Sequence, residues 1–145
     1  EWLSRVSLTA VAELGMKVLV FVGRMLFGLY WLYNALNHLV IAPKALAQYA
    51  AMKKVPAPLG MVVLSGLLLL IGAITILLGI AIPVGVAALI VFLVPVTFWM
   101  HDFWNVQDPM QRMVEMVQFT KNLALIGATL LLLGIPEPWH WSLAE

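Results

Sequence analysis

The sequence predicts an all-α integral membrane protein, an antiparallel four-helix transmembrane bundle. Three observations carry that expectation. Hydrophobic residues make up 63% of the chain and charged residues 10%, against about 45–50% and about 25% in a soluble domain. Four long apolar stretches each approach the length needed to cross a hydrocarbon core of about 30 Å at about 1.5 Å per residue. Proline, glycine or charged residues punctuate the chain between those stretches. A length of 145 residues suits a single domain.

The same composition excludes several functions. A net charge of +1 offers no basic face for nucleic acid, and there is no Gly-rich phosphate loop or zinc-finger spacing. The absence of cysteine excludes disulfides, thiolate catalysis, iron–sulfur ligation and c-type haem attachment. No intrinsic cofactor is therefore expected. Redox chemistry would need a quinone or a partner, and a bound lipid is the other candidate ligand. The first apolar run is too long for a cleavable signal and is followed by more spans.

Taken in order, residues 2–14 place Trp2, Leu3, Val6, Ala10 and Leu14 near helical spacing, which suits a helix lying in the membrane interface. Span 1 is expected over residues 18–41. Arg24, Trp31 and His38 recur seven apart and share one face, with Asn34 beside them and Asn37 at its edge. Such groups cost free energy in hydrocarbon, so this face should point into the protein. No acid lies in spans 2 or 3 to meet Arg24. Glu13, Glu137, a lipid phosphate or a partner subunit's carboxylate would have to serve. Residues 42–58 are expected as a loop stopped by Pro43, Pro56 and Pro58, with room for one short turn near 44–52.

Span 2, over 59–80, carries a stripe of Ser65, Gly72 and Gly79, expected to let a neighbouring helix approach closely. A tight turn leads to span 3 over 84–100, where Pro95 should kink the helix near its end. That span delivers His101, Asp102 and Trp104. Asp108 and Pro109 form an N-cap and first helical residue, with Gln111 in the capping-box position. The helix they start should be interfacial over 109–118 and become span 4 over 119–135. Glu115, Gln118 and Asn122 share a face, and Lys121 can snorkel to the headgroups. Trp139 and Trp141 in the tail suit an aromatic belt.

Four spans put the two loops 42–58 and 101–118 on the same side of the membrane. Asn34, Asn37 and His38 then end span 1 where His101, Asp102 and Trp104 end span 3, and where Glu115, Lys121 and Asn122 open span 4. Such a cluster can hold a quinone. His or Asn donates to a carbonyl, aromatic rings pack on the head group, and a carboxylate takes a proton. The same residues could instead form a structural network that anchors helix ends at headgroup depth. His38 and His101 could ligate haem, and Met110, Met113 and Met116 with His101 could offer soft ligands to copper(I), although methionine also fills gaps on amphipathic helices.

A family resemblance rests on His101-x-Phe-Trp, Asp108-Pro, Arg112-Met and Phe119-x-Lys-Asn-Leu-Ala-Leu-x-Gly127, together with Arg24-Met-Leu-Phe-Gly-Leu on span 1. Over about residues 18–143 the sequence resembles the DoxX family, small four-span membrane proteins of bacteria and archaea. The resemblance implies that fold, a location in the prokaryotic cytoplasmic membrane, and a loose link to quinone redox chemistry through thiosulfate:quinone oxidoreductase, from which the family is named. The family often carries a Glu in span 2 where this chain has Leu69, and a basic residue after it where this chain has Pro83. If the family's acid pairs with the span-1 Arg, Arg24 has lost that partner here, and any proton-handling role of the acid is lost with it. The expected function is accordingly an accessory, non-catalytic subunit of a larger membrane redox complex, in contact with lipids and other membrane subunits. The alternative is a quinone-binding subunit of an oxidoreductase. A lipid or small-molecule carrier comes third, because no inverted repeat or broken helix is visible.

Overall fold

Proline sets the start of most of the helices. It stands in the first two positions of the second to fifth, where its missing N–H costs nothing and its fixed φ suits the turn. The structure, a computed structural model, describes residues 2–143 and the side chains of 8–143. Among them the order is α1 (Trp2–Leu36), continued by a π-helical stretch Asn37–Ile41, then α2 (Pro43–Met52), α3 (Pro58–Leu78) and α4 (Ile82–Met100). A 3₁₀ turn, Phe103–Asn105, leads to α5 (Pro109–Leu131), which ends in another, Leu132–Gly134. No strand occurs among the described residues. Three helical segments are long and apolar enough to cross a membrane: Pro58–Leu78, Ile82–Asn105 and Pro109–Gly134.

Two sequence expectations change at this level. The expected interfacial helix and span 1 are one unbroken helix, because no proline interrupts residues 2–36. Its residues 8–16 are exposed on all sides, while the side chains of Trp2, Leu3 and Val6 lie outside the described ones. The expected loop 42–58 is mostly α2, ten residues started by Pro43 and seated on Ala47 and Ala50. The cap of α5 forms as expected, with the Asp108 carboxylate accepting from the Gln111 N–H at 2.8 Å. α4 runs through Pro95 to Met100.

The core joins Trp31 and Ala35 of α1 to Leu69, Ala73 and Ile76 of α3, and to Ile82, Val86, Leu89 and Leu93 of α4. Small residues bring these helices together. A Cβ on Gly72 would stand 2.5 Å from Leu89, and one on Gly28 2.6 Å from Leu77. The expected stripe of Ser65, Gly72 and Gly79 therefore divides. Only Gly72 packs under a neighbouring helix. Gly79 ends α3 in the left-handed region, at φ 69°, and lies against Ser142 and Arg24. Ser65 donates its hydroxyl to the Val62 carbonyl at 2.8 Å.

The tail folds back on the bundle. The Leu143 N–H donates to the Leu78 carbonyl at 2.9 Å. Trp139 is buried in the core, where the sequence suggested a belt anchor, whereas Trp141 remains half exposed with its ring edge on Phe21. Arg24, expected to reach a lipid or a partner, is 4% exposed. Its guanidinium donates to the His140 carbonyl at 3.2 Å and the Trp141 carbonyl at 2.8 Å, and stands 5.1 Å from the Phe21 ring centre. The tail thus meets the Arg24 guanidinium with backbone carbonyls from within the chain. An acid at Leu69 would stand about 15 Å along α3 from Gly79, which Arg24 touches.

Candidate functional site

The last turns of α1, the inner face of α2, the first half of α3, the second half of α4 and one turn of α5 line a half-open cavity of about 440 Å³. Ligand sites typically occupy about 300–1,000 Å³, with mainly apolar walls and a few converging polar groups. This one fits that description. Leu46, Met61, Val62, Leu68 and Phe92 give its apolar walls, and Asn34, His38, Ser65, His101, Lys121 and Asn122 its polar positions. Phe92 receives the rings of Trp31 and His38 edge to face, with centres 6.5 and 5.8 Å away.

The polar groups fall into two sets. On α1, His38 donates from Nδ1 to the Asn34 carbonyl at 2.9 Å, and the Asn34 amide donates to the Tyr30 carbonyl at 2.8 Å. Those bonds fix both side chains against their own helix. Across the cavity, Glu115 of α5 is 5% exposed and accepts two bonds. One comes from the Tyr49 hydroxyl at 2.7 Å and the other from His101 Nδ1 at 2.8 Å. Tyr49 of α2 also lies 3.3 Å from the Met100 carbonyl. Burial, then the Glu115 bond and the charges of Glu115 and Asp102, raise the Tyr49 phenol well above its ordinary value, so it stays a donor at neutral pH.

A clasp closes the same end of the molecule. Lys53, just after α2, bonds Asp102 at 2.5 Å, while its carbonyl accepts from the Trp99 indole at 3.0 Å. Asn105 completes the Asp102 carboxylate at 3.0 Å.

Asn34, His38, His101, Lys121 and Asn122, all expected at a site, line the cavity together. Glu115 stands behind His101. Three expected members lie elsewhere. Asp102 is committed to Lys53. Trp104 packs edge to face on Phe103 and Phe119, half exposed. Asn37, the first residue of the π-helical stretch, is not among the residues that line the cavity. The Lys121 ammonium turns to the Gln118 amide oxygen. Met110, Met113 and Met116 are exposed, and the last two line a separate groove beside Arg112, so they do not join His101. Among the described residues no three His, Asp or Glu gather as metal ligands.

Sequence reasoning missed Tyr49 and Lys53, because both lie in the segment expected as a loop, whereas Trp99 opens the stretch 99–104 whose rim position the sequence already suggested. It placed Trp31 on the correct face without foreseeing its role. That ring is 1% exposed, lines the cavity, and its indole N–H has no partner.

No curated protein and no solved structure was found to match this chain. A family model does match: DoxX, over residues 19–102, which takes in α2, α3, α4 and most of the cavity wall. The most specific of the sequence motifs, 101–127, continues past that stretch, and more than half of the chain lies within it. The protein is a helical membrane protein that belongs to the DoxX family.

Proposed function

We propose that the chain is an antiparallel four-span bundle of the prokaryotic cytoplasmic membrane and serves as the quinone-binding subunit of an oxidoreductase. α1 supplies the fourth span, over about residues 18–41, since its inner face carries core and cavity residues. The observation that carries the binding role is the cavity, with His38 and His101 both on its wall. A flat, lipid-soluble ring with oxygens at its edge suits those walls, with Phe92 packing on it and polar side chains at its rim. A quinone would supply the carriage of two electrons in the membrane. The chain's own residues would bind the ring and exclude water, with His101 held in place by its Nδ1 bond to Glu115 at 2.8 Å.

The accessory-subunit reading keeps one supporting observation, the bare N-terminal part of α1 over residues 8–16, which offers a neighbouring chain a helical surface. Purification in mild detergent, followed by mass spectrometry of extracted quinone and co-purifying proteins, separates the two. We expect quinone in near-equimolar amount with the wild-type chain and its loss in His101→Ala. A chain that arrives only within a larger complex, with no quinone of its own, is an accessory subunit.

A further inference from the structure

Several hydrogens on the cavity wall are already committed to acceptors within the protein. His38 Nδ1 faces a backbone carbonyl, which can only accept, so Nδ1 carries the ring's hydrogen and neutral Nε2 is a bare acceptor. His101 Nδ1 is likewise spent on a carboxylate, which also receives the Tyr49 hydroxyl hydrogen. Ser65 has likewise given its hydrogen to Val62. On the other side of the balance stand the unpartnered Trp31 indole N–H and the Lys121 ammonium.

A ligand that only accepts, such as a quinone, can serve Trp31 and Lys121. It would leave His38 Nε2 facing it lone pair to lone pair. A phenolic hydroxyl accepts and donates at once, so it can serve both sets. Pro95 biases the wall further. It has no N–H for the Val91 carbonyl, and both residues line the cavity.

We propose that this cavity selects the reduced, hydroxyl-bearing form of its ligand, a hydroquinone, over the quinone. The proposal rests on the quinone-site reading above and adds the redox form. It follows from which atom of each histidine the protein has already used, not from the shape of the cavity.

The test is anaerobic titration calorimetry on the full chain in mild detergent. Three probes share one ring: a decyl-substituted hydroquinone, its quinone, and its di-O-methyl ether, which keeps the oxygens but has no O–H. The chain has no cysteine, so the reductant that protects the hydroquinone finds no disulfide to break. The hydroquinone should bind about tenfold or more tightly than either other probe, because each unserved buried acceptor costs about that factor. His38→Phe should lower hydroquinone affinity about tenfold and leave quinone affinity nearly unchanged. Quinone binding as tight as, or tighter than, the hydroquinone overturns the redox selection and leaves the site reading standing. Binding of none of the three probes overturns the site reading and this proposal with it.

Discussion

Glu115 illustrates how a single side chain organises the polar half of the cavity. It is buried, yet both of its oxygens are occupied, one by Tyr49 and one by His101. An occupied carboxylate tolerates burial that a bare one does not. Tyr49→Phe removes one of those bonds and should cost about 1 kcal/mol, a typical value for a half-buried hydrogen bond. The pH dependence has a definite sign. The folded phenol titrates above its ordinary value near pH 10, so its contribution is fully present below about pH 10 and is lost as pH rises through the raised value. Thermal unfolding in detergent should therefore show a constant gap between wild type and Tyr49→Phe from about pH 6 to 9, narrowing at higher pH. A gap that widens with alkalinity would contradict the bond to Glu115. Of the three residues in this network, His101 and Glu115 were legible, because ionisable groups stand out in an apolar sequence. Tyr49 was not. An aromatic in a proline-flanked segment has no signature until α2 is seen to pack over the cavity.

Helix boundaries show the same division. The apolar stretches and the Asp108 cap predicted α3, α4 and α5 to within a few residues, because length and capping are local properties. The π-helical end of α1 and the division of the Ser65, Gly72 and Gly79 stripe were not legible. Both depend on what the neighbouring helix or the tail places there. One local feature now predicts a gain. Ala57 and Ala81 precede α3 and α4 in the left-handed region, at φ 42° and 48°. A β-carbon costs roughly 1–2 kcal/mol there, offset in part by the extra freedom that glycine gives the unfolded chain. Ala57→Gly and Ala81→Gly should each stabilise the protein by about 0.5–1 kcal/mol, unlike most glycine substitutions next to helices. A fall in the unfolding midpoint for both would show that those two turns do not take this conformation in the membrane protein.

At the scale of the whole molecule the question is how many times the chain crosses the bilayer. α1 has 35 residues and would measure about 52 Å as a straight helix, well beyond a core of about 30 Å. If α1 crosses, one part must leave the hydrocarbon, and the exposed residues 8–16 are that part. The remainder packs its Trp31 and Ala35 face into the core and lines the cavity, as the proposed fourth span would. Four crossings put the start of α1 and the tail on one side and α2 on the other. The absence of cysteine makes the test direct. Glu13→Cys, Lys44→Cys and Glu137→Cys each place one thiol at an exposed position. In sealed vesicles of one orientation, a membrane-impermeant maleimide should label positions 13 and 137 from the same face and position 44 only from the opposite face. If position 13 labels with position 44 instead, α1 does not cross. The cavity wall it forms would then lie at the membrane surface, where a lipid-soluble ring has no reason to enter from the bilayer.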